Sequence, residues 1–362
     1  MRKGQKRKFL GIGLVLLLCG IAACGPAGGE ETGAPTPEMI TTVAPEPTQA
    51  ISKLPDATVI QEVTATPVPT EATTVTPTPT HTPARNEGIE IPAEYRMMKK
   101  NAAGTVEEIT YTTKDYYGNG EEVIKPAYVY LPAGYDTEKQ YNVLFVMHGG
   151  GGDQSEFGIQ HTLSSLRLAL DNLIYYGDIE PLIVVFPNGR TGVNYAKGSQ
   201  DHTAFKDFGM ELRNDLVPYI DANYATYGEY DPAGYDLTEA RDHRAMAGFS
   251  FGGMQTVNIG LCECLDIMSY FGSFAAGNTT YNAEEIAACL ESFESYEINY
   301  IYSICGNLDG CLYLARDAFA ELPKLTDKVV TGENMMLQVV PGSHSITVAQ
   351  LGLYNFVQLI FK

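Results

Sequence analysis

Eleven of the chain's twenty prolines lie between Cys24 and Glu90, and that stretch contains no Phe, Tyr or Trp. A segment without aromatic side chains buries too little apolar surface to offset the entropy of ordering it. A packed core is therefore confined to the residues after Glu90, roughly 270 of the 362. The runs Thr64-Ala65-Thr66-Pro67-Val68-Pro69-Thr70 and Thr76-Pro77-Thr78-Pro79-Thr80 favour extended polyproline II, so residues 24–90 are expected to act as a semi-stiff tether. No internal repeat of solenoid length is visible.

Ahead of the tether, Arg2, Lys3, Lys6, Arg7 and Lys8 precede an apolar run from Leu10 to Ala23. That run is short and glycine-containing for a membrane span and reads as a signal-peptide core. It ends Ile21-Ala22-Ala23-Cys24-Gly25, which resembles the bacterial lipobox. The resemblance implies cleavage of residues 1–23 and lipid attachment to the sulfur of Cys24. The expected location is extracytoplasmic, anchored to the bacterial membrane by that lipid. Cleavage would remove five basic and no acidic residues and take the formal charge from −20 to −25. Such an acidic chain is not a nucleic-acid binder working by phosphate neutralisation.

Residues 91–362 read as one domain of alternating strands and helices. Thr105–Thr113 and Lys125–Leu131 are β-rich and joined through Tyr117-Gly118-Asn119-Gly120, a hairpin signal. Strands are also predicted at Asn142–Met147, Pro181–Phe186, Arg244–Gly248, Tyr300–Cys305 and Met336–Val340. Helical spacing marks Leu163–Tyr175, Phe208–Tyr224, Gly252–Leu261 and Val348–Phe361. The pattern predicts an α/β fold: a mostly parallel central sheet with helices on both faces and an antiparallel hairpin at its first edge.

Three segments at strand ends fit one chemistry. Gly248-Phe249-Ser250-Phe251-Gly252 is G-x-S-x-G between a predicted strand and helix, so Ser250 is the candidate nucleophile. The backbone N–H of Phe251 is then a candidate oxyanion donor. His148-Gly149-Gly150-Gly151-Gly152-Asp153 follows another strand and offers a second donor, Gly150 or, alternatively, Gly151. His148 is expected to order that loop. A serine hydroxyl needs a base, and the base an orienting carboxylate. His344 is the only histidine after Ser250, and Asp309 follows the preceding strand. Asp317 falls in a helical pattern and reads as surface. His161, His202 and His243 have no comparable placement, and His81 lies in the tether.

The run His243–Gly260 is similar to the nucleophile region of carbohydrate esterase family one, especially the feruloyl esterase modules attached to bacterial xylanases. The segments 148–153, 216–224, 305–309 and 353–356 resemble that family too. The resemblance spans roughly residues 100–362. It implies an α/β-hydrolase fold and a Ser250–His344–Asp309 triad. It also implies hydrolysis of ester decorations, ferulate or acetate, on plant polysaccharide such as xylan. Phe249 and Phe251 stand where these modules commonly carry Leu and Met, and the chain has no Trp to stack on an aromatic acyl group. The expected partner is a polysaccharide or oligosaccharide ester, the expected state a monomer. The same superfamily holds siderophore esterases, thioester hydrolases and acyltransferases. An envelope acyltransferase, a siderophore or other small-ester esterase of the same fold, and an inactive hydrolase-fold binding module are the alternatives.

No cofactor and no metal is required by this chemistry, and Cys262-Glu263-Cys264 alone is weak as a zinc motif. Beyond Cys19 and Cys24 the chain has five cysteines, so at least one stays unpaired in any disulfide scheme. Packing as small apolar side chains is the expectation for these five.

Overall fold

The computed structural model describes residues 87–193, 195, 198 and 203–362. The described residues all fall in one compact unit, 76–362. The expected signal, Cys24, the expected tether as far as residue 86, His81 and His202 lie outside the described residues.

Eight strands form one sheet: β1 (Thr105–Lys114), β2 (Glu122–Leu131), β3 (Asn142–Met147), β4 (Leu182–Pro187), β5 (Arg244–Phe249), β6 (Tyr270–Phe274), β7 (Tyr300–Gly306) and β8 (Met335–Val340). Their spatial order is β1-β2-β4-β3-β5-β6-β7-β8. β1 and β2 pair antiparallel, β2 meets β4 antiparallel, and every later pairing is parallel. This is the arrangement of the α/β-hydrolase fold.

The helices are α1 (Ser165–Tyr176), α2 (Phe208–Glu211), α3 (Val217–Asn223), α4 (Phe251–Gln255), α5 (Ala283–Leu290), α6 (Leu312–Leu325) and α7 (Ile346–Phe356). A π-helical turn, Leu212–Leu216, joins α2 to α3, and another, Thr256–Leu261, extends α4. Pro218 at the start of α3 has no N–H for the carbonyl four residues back, and the wider turn just before it accommodates that.

Strand periodicity separates two cores. In β3, Leu144 and Val146 face one cluster with α1 and α7, while Val143, Phe145 and Met147 face the other with α2, α3 and α5. Both faces of the central strands are thus covered, which is why these segments read as unbroken apolar runs. β1 at the edge alternates instead, and its exposed Glu107, Glu108 and Lys114 discourage pairing with another chain.

Three expectations need correction. β6 has no counterpart in the prediction, because Gly272 interrupts its apolar run. That glycine is a packing requirement: a Cβ there would sit 2.9 Å from the ring of Phe356 on α7. The last helix ends at Phe356 and does not reach Phe361. The chain turns there and sets the Phe361 ring 5.0 Å from that of Tyr270. The fold also begins before residue 91. Gln338 donates to the carbonyls of Glu87 and Gly88 at 2.9 and 3.0 Å, and Asn355 to that of Gly88 at 3.0 Å.

Candidate active site

Ser250 stands between β5 and α4 with φ 55° and ψ −112°, a strained conformation for a residue with a side chain. The turn closes because the residues two positions before and after Ser250 lack a side chain. A Cβ on Gly248 would fall 2.4 Å from the backbone of Gly252, and one on Gly252 would fall 2.3 Å from the carbonyl oxygen of Met147. β6 fixes the strained backbone from the side. The Ser250 N–H donates to the Phe274 carbonyl at 2.9 Å, and the Gly277 N–H to the Ser250 carbonyl at 3.0 Å. The strand absent from the sequence prediction therefore holds the main chain of the candidate nucleophile.

Asp309 and His344 come from loops after β7 and β8 that are laced together. The Asn307 N–H donates to Val340 O and the Leu308 N–H to Gly342 O, both at 2.8 Å. The Gly342 N–H in turn donates to the Asn307 side chain at 3.0 Å. This lacing brings His344 Nδ1 within 2.8 Å of Asp309 Oδ2, and His344 Nε2 within 2.9 Å of Ser250 Oγ. The Asp309 side chain is 1% exposed and the His344 side chain 38%, so the carboxylate is sheltered while the imidazole meets solvent. The other Asp309 oxygen accepts the Cys311 N–H at 2.8 Å. The Phe249 ring lies 4.9 Å from the imidazole, tilted against it.

The glycine loop after β3 packs directly on this serine. A Cβ on Gly149 would meet Ser250 Cβ at 3.3 Å, and one on Gly150 would meet the Phe251 ring at 2.6 Å. Gly151 takes φ 78°. The loop thus meets the turn through Gly149, against Ser250, and Gly150, against the Phe251 ring.

Two charged side chains that sequence reasoning did not single out brace the loop. Glu156 Oε2 accepts the Gly149 N–H at 2.5 Å, and Arg190 Nη1 donates to the Gly152 carbonyl at 2.7 Å. Arg190 also lies over the Phe205 ring, which packs 5.4 Å from that of Phe251. Neither residue sits in a recognisable motif. Arg190 follows the Pro187-Asn188-Gly189 stop after β4, the only signal that pointed to that stretch.

His148 orders the loop. Its Nδ1–H donates to Gly149 O at 2.8 Å, and its Nε2 accepts the Gly189 N–H at 3.1 Å, tying the end of β3 to the end of β4. Burial pushes its pKa down to about 4, so the ring is neutral and each nitrogen has a defined role. His243 is removed from the serine: it stacks on Tyr227 with ring centroids 3.5 Å apart and meets Asn142. His161 is exposed on its loop. Asp317 lies on α6.

Beneath the site, Lys125 on β2 and Glu211 at the end of α2 form a fully buried ion pair. Tyr111 donates to Glu211 at 2.5 Å, and Lys125 to the Arg190 carbonyl at 2.5 Å. Burial raises the Glu211 pKa and lowers that of Lys125. The five described cysteines are free thiols, and burial raises those of Cys262, Cys264, Cys305 and Cys311. A separate cavity of about 400 Å³ lies between the helix that begins at Phe251, α5 and α6, lined among others by Val257, Ser273 and Ser303, and no triad residue borders it.

Residues 125–276, from β2 to just past β6, match the family described as Putative esterase. That region holds Ser250 and the oxyanion candidates Phe251, Gly150 and Gly151 but ends before Asp309 and His344. Among curated proteins, the endo-1,4-beta-xylanase Y of Acetivibrio thermocellus is 35% identical over 182 residues, covering 49% of this chain and 15% of that protein. The endo-1,4-beta-xylanase/feruloyl esterase of Xylanibacter ruminicola is 31% identical over 229 residues, covering 61% and 28%. The chain thus spans less than a third of the length of these relatives. Among solved structures, a serine-to-alanine mutant of the feruloyl esterase module from Clostridium thermocellum, complexed with sinapinate, superposes with a TM-score of 0.62. It is 27% identical, over 75% of this chain and 93% of that one. In sequence and in fold the chain is similar to the feruloyl esterase type of carbohydrate esterase family one.

Proposed function

We propose that this chain is a serine carboxylesterase that removes feruloyl or acetyl groups from plant cell-wall polysaccharide such as xylan. The observation that carries the reading is the unbroken hydrogen-bond chain Ser250–His344–Asp309, with Ser250 in a strained turn beside a glycine loop.

His344 Nε2 takes the Ser250 proton as Oγ attacks the ester carbonyl. Asp309 holds Nδ1–H and offsets the positive charge that develops on the ring. The N–H groups of Phe251 and Gly150 (or Gly151) face the carbonyl oxygen as it becomes an oxyanion, worth about 2.7–4 kcal/mol per donor. His344 then returns the proton to the sugar hydroxyl, which leaves. In the second half, water gives a proton to His344 and attacks the acyl-enzyme, releasing the acid and free Ser250. The partly exposed imidazole supports action on a bulky polymer-borne ester, which a closed cavity would exclude.

The test is release of ferulate and acetate from feruloylated and acetylated xylan fragments, side by side, by the purified chain. Hydrolysis of one or both that vanishes in Ser250→Ala supports the reading. Transfer to a sugar hydroxyl in preference to water would favour an acyltransferase, and no turnover on any ester an inactive binding module. We further propose that Cys24 carries a lipid that anchors the mature chain at the bacterial membrane. The basic start, the apolar run and Ile21-Ala22-Ala23-Cys24 support this. A Cys24→Ala variant that still partitions with membranes would refute it.

A further inference from the structure

Cys311 has no part in the esterase mechanism, yet it stands against the triad. It immediately precedes α6, half-buried, two residues after Asp309. One ligand atom each from Asp309, Cys311 and His344 lies within 4.8 Å of the other two. Since His344 Nδ1 faces the carboxylate at 2.8 Å, Nδ1 is the imidazole atom on this side. A carboxylate, a thiol and an imidazole converging from two loops form a mixed O, S and N donor set, suited to zinc and its neighbours in the transition series.

We propose that Asp309, Cys311 and His344 form an inhibitory binding site for Zn²⁺, in which the metal and the catalytic arrangement compete for the same atoms. This rests on the triad reading, whose base and acid the metal would occupy. In tetrahedral zinc sites neighbouring donors stand about 3.3–3.6 Å apart, as follows from metal–ligand bonds of about 2.0–2.3 Å. His344 Nδ1 and Asp309 Oδ2, at 2.8 Å, need to part by about 0.5 Å, and the Cys311 sulfur, within 4.8 Å of the carboxylate and the imidazole, needs to move in by about 1 Å at most. Asp309 is fixed and buried, while His344 and Cys311 reach solvent, so an ion can enter from the open side. The fourth position is left to water.

The step balances simply. Zn²⁺ binds the Asp309 carboxylate, the Cys311 sulfur and the Nδ1 lone pair. The thiol releases one proton to solvent. The imidazole keeps its single proton but carries it on Nε2. In that tautomer Nε2 donates towards Ser250 Oγ and can no longer accept its proton. Asp309 is drawn to the metal and no longer orients the ring. Removing the metal restores Nδ1–H and the triad.

The experiment uses the full chain, stripped with a chelator and titrated with Zn²⁺. Esterase rates are expressed relative to each variant's own metal-free rate. At zinc tenfold above its dissociation constant, mass action predicts a loss of about tenfold in rate, reversed by chelator. Cys311→Ala is expected to reduce this to less than about twofold at the same zinc concentration. Co²⁺ supplies a readout independent of turnover. Loaded into the wild type it should give a thiolate-to-cobalt charge-transfer absorption, and Cys311→Ala should lack it. Equal zinc sensitivity in both proteins, or no cobalt–thiolate absorption that depends on Cys311, overturns the proposal. A chelated wild type with no esterase activity would overturn the functional reading instead, and the cobalt spectrum would still decide the metal site.

Discussion

The contact between the glycine loop and the nucleophile turn yields a sharp mutational test. A methyl group added at Gly150 would lie 2.6 Å from Phe251 Cδ2 and 2.9 Å from Cε2, where ordinary contact begins at 3.4 Å. Loop and ring must therefore separate by about 0.8 Å. The ring cannot retreat freely, because Phe205 packs behind it at 5.4 Å. The loop is braced by Glu156 and Arg190, so the strain falls on the spacing between the Gly150 amide and Ser250. A displacement near 1 Å from reactive geometry lowers turnover by about a hundredfold, close to 2.7 kcal/mol of barrier. Gly150→Ala is thus expected to reduce kcat for p-nitrophenyl acetate by about that factor, with a smaller change in KM. Phe251→Ala removes the opposing ring but keeps the main-chain N–H of residue 251. The double variant should recover at least about tenfold over Gly150→Ala, a coupling of about 1.4 kcal/mol. Initial rates for the four proteins, with urea unfolding to confirm that each is folded, complete the cycle. If Gly150→Ala works within twofold of the wild type, or if removing the ring gives no recovery, the placement of the oxyanion loop is wrong.

Other residues give independent checks. Asp309→Asn keeps the volume and the acceptor for the Cys311 N–H but turns an amide NH₂ towards Nδ1, which selects the wrong imidazole tautomer. The same exchange in a serine protease triad lowers kcat by about 10⁴, and a loss of that order is expected here with the fold intact, measured by steady-state kinetics and circular dichroism. His148, with its pKa lowered to about 4 by burial, takes up a proton less readily folded than unfolded. Stability should therefore fall as pH drops from about 6.5 to about 4, by about 3 kcal/mol in total, and then level off with respect to this group. Denaturant unfolding across that range should show a flatter acid limb in His148→Gln. Glu211→Ala strands the Lys125 charge in the core and should destabilise by about 3–5 kcal/mol, whereas Lys125→Met with Glu211→Leu should regain much of it.

The central strands were legible because β3, β4 and β5 are apolar on both faces and stop at Gly or Pro, a pattern that burial on two sides imposes. The placement of Ser250, Asp309 and His344 was legible for a different reason: each follows a strand in the chain order Ser, Asp, His, and the strand ends lie along one edge of the sheet. What escaped is held by single tertiary contacts. Gly272 breaks β6 in the sequence but exists to admit Phe356. Tyr270 receives the Phe361 ring, which bends the chain end where helical spacing continues in the sequence. The capping box of Asn282 and Glu285 at α5 was readable but not singled out. Glu156, Arg190 and Cys311 carry no local pattern, because their importance lies in which backbone or side chain they meet across the fold.

The central claim is that Ser250 becomes acylated during turnover. The direct measurement is mass spectrometry of peptides after rapid acid quench of the chain mixed with an excess of an activated acetyl or feruloyl ester. The triad mechanism predicts one acyl group on the peptide containing Ser250, formed and lost at rates consistent with turnover, and absent in Ser250→Ala. Sustained hydrolysis with the acyl group on another residue, or with Ser250→Ala fully active, would contradict it.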